Sequence, residues 1–341
     1  MPSIMITSPL EPEHVARIRA VDASLEVLYE PNLLPATRYT ADHKGVAFTR
    51  DAAQTAAWRA LLGKADILFD LPAAEDVPFA TRASWVQTTS TGVGQTVAKL
   101  GLDQRGILVT TARGVHARPL AEFVFMALLA HIRGLDHLRA EQRAHRWERY
   151  CGPEIANRTM VILGAGDLAR GCGRLAQAFD MRCIAVARDP ARTRAHNGLF
   201  NEILPVAQLH DALSQADAFV VTAPHTPQTE GLVSTAALAA LKPGAAFVNI
   251  ARGNIVDEPA LIAALRSGHI GFAALDVATV EPLPPDNPLW DMPNVLISPH
   301  SASTVQAENS RITDIFCENL RCWLDGRPEA MINRLDPALM Y

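Results

Sequence analysis

The sequence predicts an α/β fold made of two Rossmann-like or flavodoxin-like doubly wound domains, and three observations carry this prediction. Short apolar runs typical of β-strands alternate with amphipathic helical stretches along most of the chain. The length of 341 residues is enough for about two domains of ordinary size. One of the apolar runs leads into a glycine-rich turn that opens a helix, which is typical of dinucleotide-binding folds.

The first hundred residues read as strands that alternate with helices or with a small-residue turn. Strands are predicted at residues 4–7, 25–29, 67–71, 85–89 and 107–111, and helices near 14–21 and 52–62. The turn between the last two strands is Ser90-Thr91-Gly92-Val93-Gly94. Because strands that alternate with helices are joined by crossovers, this order predicts a parallel sheet.

The remainder of the chain predicts a long helix, a second block of strands and a final helix. The long helix begins at Pro119 and ends near Gly134, and the final helix runs from about Ser303 to Leu324 with an apolar face that can dock on a core. The strands are expected at 160–163, 183–187, 218–222, 246–250, 272–277 and 295–298.

Composition and net charge limit the classes of partner and the location that can be expected for this protein. The hydrophobic share of 49% and the net charge of −5 are typical of a soluble globular protein and make nucleic acid a poor partner. No apolar run approaches the roughly 18 residues needed to cross a bilayer, and the start of the chain does not resemble a secretory signal, so a cytoplasmic location is expected. The odd number of cysteines, 5, and the lack of any CxxC pair predict buried thiols and no metal site.

The segment from Met160 to Ala169 predicts a dinucleotide site. Its pattern is GxGxxA: Gly164 permits the turn, Gly166 lets backbone N–H groups approach a pyrophosphate, and Asp167 and Leu168 open the helix. Such turns also occur for packing alone, but here the strand, the helix and the next strand are all in place.

The end of the next strand bears on the choice of cofactor. An Asp or Glu that binds the adenosine ribose of NAD is usual there, whereas this chain has Ala187 followed by Arg188, with Arg192 and Arg194 close behind. A guanidinium at this place favours NADP(H). NAD(H) remains possible if Asp189 takes the ribose instead.

Four later strands end in residues that suit catalysis. Since carboxyl ends of parallel strands share one edge, these residues are expected to converge there. They are Ala223-Pro224, Ala251-Arg252, Asp276 and His300, with Glu281 in the loop after Asp276.

Arg, His and a carboxylate at such an edge suit reduction of a 2-oxo acid. Arg252 can hold a carboxylate through two parallel hydrogen bonds, and His300 can protonate the carbonyl oxygen as hydride arrives. Glu281 beside the imidazole would orient it and keep it charged. Taken singly, each residue has an ordinary structural reading, as an ion pair, a buried histidine or a loop charge. Their joint placement after a nucleotide turn favours function.

At this point the chain resembles the D-isomer-specific 2-hydroxyacid dehydrogenase family, nearly from end to end. The resemblance rests on the Gly164 turn and on the runs 91–94, 249–258 and 275–300. It departs from the family pattern at Gly94, where an Asp is common, at Ala169, at Ala187 and at the pair Ser301-Ala302.

The resemblance implies an architecture and further roles. A substrate domain of residues 1–117 plus 301–341 would enclose a nucleotide domain of residues 118–300, with the active site in the cleft between them. Asp276 would contact the nicotinamide carboxamide, and the backbone of Val93 and Gly94 would complete the site for the substrate carboxylate. A homodimer would form through the nucleotide domain, and the segment 119–149 would take part in it.

The function expected from these features is NAD(P)H-dependent reduction of a small 2-oxo acid, such as glyoxylate, hydroxypyruvate or a bulkier relative, to the D-2-hydroxy acid. The alternative is a cofactor-sensing protein similar to the corepressors that resemble this family and keep the same three residues. Formate or phosphite oxidation is a third reading, and Glu281 disfavours the formate enzymes, which have glutamine there.

Overall fold

The computed structural model describes residues 2–194 and 198–337, and the side chains of Arg192 and Arg194 lie outside this description. The chain divides into two compact units. The first unit comprises Met1–His116 with Thr304–Tyr341, and the second comprises Ala117–Ser303. The chain therefore passes between the units twice, at residues 116–117 and 303–304.

The first unit contains a parallel sheet of five strands in the order β2-β1-β3-β4-β5. Its strands are β1 (Ser3–Ile6), β2 (Glu26–Leu28), β3 (Ile67–Phe69), β4 (Trp85–Gln87) and β5 (Leu108–Thr110). Its helices are α1 (Pro12–Arg19), α2 (Ala52–Leu62), α3 (Gly94–Lys99) and, from the end of the chain, α11 (Glu308–Leu324). Since β2 and β3 lie on opposite sides of β1, the winding direction reverses between β1 and β3.

Helix α11 is part of the core of the first unit. Phe316 stacks on Trp85 at 5.1 Å between ring centroids and meets Phe69 edge-on at 5.1 Å, and all three side chains are fully buried. The apolar face predicted for the last helix therefore packs on the sheet of the first unit.

The second unit contains a parallel sheet of seven strands in the order β12-β11-β10-β9-β6-β7-β8, so the reversal lies between β6 and β9. Its strands are β6 (Thr159–Leu163), β7 (Arg182–Ala187), β8 (Glu202–Pro205), β9 (Ala218–Val221), β10 (Ala245–Asn249), β11 (Ile270–Leu275) and β12 (Val295–Ile297). Its helices are α4 (Ala117–Ile132), α5 (Leu135–Arg143), α6 (Asp167–Ala178), α7 (Pro190–Arg194), α8 (Leu209–Leu213), α9 (Thr235–Ala239) and α10 (Glu258–Arg266). Apolar clusters cover both faces of the sheet. The prediction of an α/β fold with doubly wound parallel sheets is confirmed.

Some details differ from the sequence prediction. Strand β8 was not predicted, because the half-buried run Glu202–Pro205 lacks a continuous apolar pattern. Helix α11 begins at Glu308 instead of Ser303. The prediction of buried thiols is wrong for Cys151, which is exposed, and Cys322 is only half-buried. Within the described residues no helix is long and apolar enough to cross a membrane.

Candidate active site

The turn between β6 and α6 lies at the reversal point of the second sheet. Gly164 has φ +110°, and a Cβ there would lie 2.6 Å from Thr222 Oγ1 and 3.0 Å from the backbone N of Ala223. Only glycine fits, because the backbone after β6 packs directly against the backbone after β9. The predicted cofactor residues Gly164, Ala223 and Pro224 are thus brought to one edge of the sheet.

The start of α6 suits the pyrophosphate of a dinucleotide. Gly166 is the N-cap residue, no side chain caps the helix, and a Cβ at Gly166 would meet nothing within 4 Å. The N–H groups of the first turn therefore carry the partial positive charge of the helix end towards open space. Asp167 pairs with Arg170 one turn later, which balances the carboxylate that the helix start would otherwise present to an anion. Leu168 turns to the adjacent apolar core.

Arg188 follows the last residue of β7 directly and is exposed, as is Asp189. Both side chains therefore stand at the edge where the adenosine ribose of a dinucleotide lies in such folds.

Arg252 lies three residues after the end of β10 in an extended backbone conformation, with φ −145° and ψ 145°. The buried side chain of Asn249 holds this segment from both sides: its Oδ1 accepts a hydrogen bond from the N–H of Ala251 at 3.0 Å, and its Nδ2 donates to the carbonyl of Arg252 at 3.0 Å. Arg252 Nη1 donates to the carbonyl of Ala251 at 2.7 Å.

Arg252 is half-buried and lies within the influence of two carboxylates. Burial lowers the pKa of the guanidinium, and the charges of Glu281 and Asp276 act in the opposite direction. These carboxylates belong to the following loop and strand end, so Arg252, Asp276 and Glu281 converge as the sequence predicted from the shared sheet edge. A guanidinium held in a partly dry place is well suited to bind a second anion.

His300 and Glu281 form a direct pair. His300 Nδ1 lies 2.7 Å from Glu281 Oε2, and the other carboxylate oxygen, Oε1, accepts a hydrogen bond from the N–H of Ala278 at 3.1 Å. The imidazole is 45% exposed and the carboxylate side chain 38% exposed, so the pair is open on one side. When Nδ1–H donates to Glu281, Nε2 is the ring nitrogen left to exchange a proton with a ligand.

Asp276 holds the segment that carries His300. Its Oδ1 accepts hydrogen bonds from Ser298 Oγ at 2.7 Å and from the N–H groups of Ser301 and Ala302 at 2.9 Å each. The N–H of His300 donates to the carbonyl of Asp276 at 2.8 Å. Asp276 is 2% exposed, so its carboxylate is a buried support for the loop.

The loop that carries Glu281 is held against the Arg252 segment. A Cβ at Gly253 would lie 2.0 Å from the carbonyl carbon of Ala278, so the two backbones are in contact. Glu258 accepts hydrogen bonds from the N–H of Thr279 at 3.1 Å and from Asn287 Nδ2 at 2.9 Å. Arg252 and Glu281 therefore occupy neighbouring segments with little freedom to separate.

Sequence reasoning missed the supporting residues Asn249, Glu258 and Ser298, although all three lie within or beside the runs it had singled out. The sequence feature that could have identified them is a polar side chain at or next to the end of a strand or helix, where a role in core packing is unusual.

The predicted substrate-binding residues Val93 and Gly94 lie in the first unit. Val93 is the N-cap residue of α3, Gly94 begins that helix, and both are buried.

Comparisons with known proteins identify the family of the chain. A family described as D-isomer specific 2-hydroxyacid dehydrogenase, NAD binding domain, matches residues 125–302. D-3-phosphoglycerate dehydrogenase of Mycobacterium leprae is 38% identical over 232 residues, which are 67% of this chain and 43% of that protein. The chain thus spans less than half the length of that relative. Glyoxylate reductase of Korarchaeum cryptofilum is 32% identical over 238 residues, 68% of this chain and 70% of that protein.

A solved structure extends the similarity to the whole chain. The D-isomer specific 2-hydroxyacid dehydrogenase of Xanthobacter autotrophicus Py2, crystallised in complex with NADPH and MES, matches with a TM-score of 0.79 and 28% identity over 100% of this chain and 99% of that one. The family resemblance read from the sequence is confirmed, and the chain belongs to the D-isomer-specific 2-hydroxyacid dehydrogenase family.

Proposed function

We propose that this protein is an NAD(P)H-dependent reductase that converts a small 2-oxo acid to the D-2-hydroxy acid. The observation that carries the proposal is the 2.7 Å pair of His300 and Glu281, whose carboxylate acts on the half-buried guanidinium of Arg252. The reaction requires a proton donor, a cation that binds the substrate carboxylate and a turn that binds the cofactor pyrophosphate. His300, Arg252 and the turn at Gly164 are suited to these tasks.

Each residue has one role in the proposed reaction. Arg252 binds the substrate carboxylate, which orients the adjacent carbonyl group. The reduced nicotinamide, when bound, supplies the hydride that adds to the carbonyl carbon. His300 donates the proton from Nε2 to the carbonyl oxygen, and Glu281 holds the imidazole in the matching tautomer and stabilises its charged form. Asp276 positions the His300 loop, and the sequence prediction that it also meets the nicotinamide carboxamide belongs to this proposal, as does a carboxylate contact from Val93 and Gly94.

An activity screen tests the proposal. Purified protein is supplied with NADPH or NADH and a panel of 2-oxo acids, and oxidation of the cofactor is followed by absorbance. The native chain is expected to turn over at least one substrate, and His300→Ala to lose about 10²- to 10⁴-fold in kcat while it still binds cofactor. Tight cofactor binding without turnover on any substrate would instead support the cofactor-sensing alternative.

The cofactor is proposed to be NADP(H), because the exposed Arg188 follows β7 where an NAD-specific enzyme carries a carboxylate. Fluorescence titration with NADPH and NADH checks this. Arg188→Ala is expected to weaken NADPH binding at least tenfold and to leave NADH binding nearly unchanged. Equal binding of both cofactors by the native protein would refute the preference.

The partner is proposed to be a second copy of the chain. Large apolar side chains are exposed on and after α4 and α5, a pattern typical of a covered surface: Met126, Leu138, Trp147 and Tyr150. Light scattering after size exclusion should give the mass of a dimer, and Leu138→Glu should shift it towards the monomer. A monomeric mass for the native protein would exclude the dimer.

A cytoplasmic location stays a prediction of the sequence.

A further inference from the structure

The start of helix α10 carries a carboxylate that lies beside the loop of Glu281. Glu258 is the first residue of this helix, and the preceding Asp257 is its N-cap, whose side chain accepts a hydrogen bond from the helix backbone at 3.1 Å. The helix packs on the core of the second unit through Leu261 and Leu265, which are buried. Glu258 therefore belongs to a helix end that both a cap and the core hold in place.

The two carboxylate oxygens of Glu258 bond the loop at two separate points. Oε2 accepts a hydrogen bond from the N–H of Thr279 at 3.1 Å, and Oε1 accepts one from Asn287 Nδ2 at 2.9 Å. These points lie before and after Glu281 in the chain. Because both ends of the segment are held, the residues between them have fewer conformations available than in a free loop.

A short series of hydrogen bonds leads from Glu258 to the proposed proton donor. The N–H of Thr279 is bonded to Glu258, and the N–H of the preceding residue, Ala278, donates to Glu281 Oε1 at 3.1 Å. The other oxygen, Glu281 Oε2, lies 2.7 Å from His300 Nδ1. The direction of the imidazole thus depends on a carboxylate whose own direction depends on the backbone at residues 278 and 279.

The loop has room to move on the side of residues 279 and 280. Thr279 and Val280 are exposed, and together with Glu230 and Asn254 they line an open depression of about 410 Å³. Exposed side chains contribute few buried apolar contacts, so packing stabilises this part of the loop only weakly. The hydrogen bonds of Glu258 therefore have a large share in fixing its backbone.

Arg252 has a support of its own. The side chain of Asn249 bonds the N–H of Ala251 and the carbonyl of Arg252 at 3.0 Å each. Asn249 is the last residue of β10, whereas Glu258 is the first residue of α10, so the two supports are separate side chains on separate elements. Loss of Glu258 would release the loop of Glu281 and leave the support of Arg252 in place.

The two partners of Glu258 explain why a carboxylate is required here. The backbone N–H of Thr279 and the amide nitrogen of Asn287 are both donors, and a carboxylate offers an acceptor on each of its oxygens. A glutamine would turn its own NH₂ group towards one of these donors. One of the two hydrogen bonds would then be lost.

We propose that Glu258 is a positioning residue for the proton-transfer step, and that it acts through Glu281 without touching substrate or cofactor. The proposal rests on the proposed function, in which His300 donates the proton and Glu281 holds its ring. It adds that the chemical step depends on a residue of α10, whereas binding of the substrate carboxylate by Arg252 does not.

Steady-state kinetics of the intact protein test this role, with the 2-oxo acid of highest kcat/KM in the activity screen as substrate. We expect Glu258→Ala to lower kcat about tenfold and to change KM by less than about twofold, because Arg252 keeps its support. Glu258→Gln keeps one of the two hydrogen bonds and should lower kcat about threefold. In protein that already carries Glu281→Gln, Glu258→Ala should change kcat by less than about twofold, since residues that act as a unit are not additive.

The control is Glu202→Ala, which removes another half-buried carboxylate of the second unit, paired with Arg182 at 2.8 Å on strand β8. It should keep the native kcat and KM. Hydrogen exchange followed by mass spectrometry adds a readout that needs no turnover. The peptide that covers residues 277–287 should exchange about tenfold faster in Glu258→Ala and at the native rate in Glu202→Ala.

Each contrary outcome points to a different failure. A native exchange rate of this peptide in Glu258→Ala overturns the proposal, whether or not the protein reduces a 2-oxo acid. A rise in KM as large as the fall in kcat, or a full effect of Glu258→Ala in the Glu281→Gln protein, indicates general structural support and overturns the proposal while the proposed function stands. A native protein that reduces no 2-oxo acid overturns the proposed function and, with it, the kinetic role of Glu258. If Glu258→Ala does not fold, the nearly isosteric Glu258→Gln decides by the same measurements.

Discussion

His300 has a backbone φ of +52°, which is uncommon for a non-glycine residue. The carbonyl and the carboxylate of Asp276 hold this segment, because they accept hydrogen bonds from residues 298, 300, 301 and 302. The direction of the imidazole is therefore set by a carboxylate at the end of the neighbouring strand. The sequence predicted that both residues belong to the site, and it did not predict this support.

Removal of the Asp276 carboxylate should destabilise the fold. Asp276→Ala leaves two N–H groups and one hydroxyl unpaired, so we expect a loss of about 2–4 kcal/mol in the free energy of unfolding. Ser298→Ala removes only one of the three hydrogen bonds and should cost about 1 kcal/mol. Urea unfolding followed by fluorescence measures both. Equal, small losses in the free energy of unfolding of the two variants would show that the Asp276 carboxylate does not stabilise the loop of residues 298–302.

Replacement of the Glu281 carboxylate should slow the proposed reaction. Glu281→Gln can still accept the hydrogen bond of His300 Nδ1, but the amide carries no charge and can also donate to the ring, so it no longer fixes one orientation of the imidazole. We expect kcat at pH 7 to fall about 10- to 100-fold. The matched control is Glu230→Gln, because Glu230 makes the same 2.7 Å contact with His225 outside the proposed catalytic group. A native kcat in Glu281→Gln would refute the pairing.

Among the elements, the turn from β6 into α6 requires glycine at residue 164. Gly164→Ala places a Cβ within 2.6 Å of Thr222 Oγ1 and within 3.0 Å of a backbone nitrogen. We expect NADPH binding to weaken at least tenfold, because the turn must move to relieve the contact. Gly268→Ala is the control, since Gly268 also has a positive φ, +75°, but open space around it. Titration of both variants should show loss of affinity only for Gly164→Ala, and equal losses would point to general instability.

Helix α11 is joined to the loop of His43 by an interaction that depends on pH. The pKa of Glu308 is lowered from 4.5 to about 2, so its contribution to stability is present above pH 4.5 and is lost as the pH falls towards 2. The pKa of His43 is raised above 6.5, so its contribution is present below pH 6.5 and is lost as the pH rises through the raised value. Both contributions are complete between about pH 4.5 and 6.5.

The difference in melting temperature between the native protein and Glu308→Gln should therefore be largest within that pH range and smaller on either side. Thermal unfolding from pH 3 to 9 checks this. Glu318→Gln, at an exposed position on the same helix, should show no such maximum. A difference that does not vary with pH would exclude the ionic interaction.

At the scale of the whole molecule, the reactivity of the cysteine thiols measures how far the hydrophobic cores exclude solvent. Burial raises the pKa of Cys172 and of Cys183 to about 12, whereas Cys151 is exposed. With a chromogenic disulfide reagent at pH 8, the native protein should show a fast phase that is absent in Cys151→Ser, and Cys172 and Cys183 should react only after unfolding. A fast phase that survives in Cys151→Ser would show that another thiol is accessible.

The parts of the fold that could be predicted are those that follow from short-range patterns in the sequence. The strand β6, the turn at Gly164 and the helix α2 at Ala52–Leu62 follow from apolar periodicity and from glycine positions within a short window. Strand β8 could not be found in this way, because its half-buried residues alternate weakly. Arg252, Glu281 and His300 could be assigned because a shared sheet edge brings strand ends together whatever the loop lengths are.

The sequence by itself therefore determined the fold class, the cofactor turn and the residue types of the proposed catalytic group. Only the tertiary structure decided which buried polar groups meet across long distances along the chain. His116 and Glu308 are separated by 192 residues, and nothing in the local pattern of either one indicates the other. The reason is physical: periodicity records which face of an element is buried, whereas the partner of a buried polar atom depends on which elements the packed sheet places beside it.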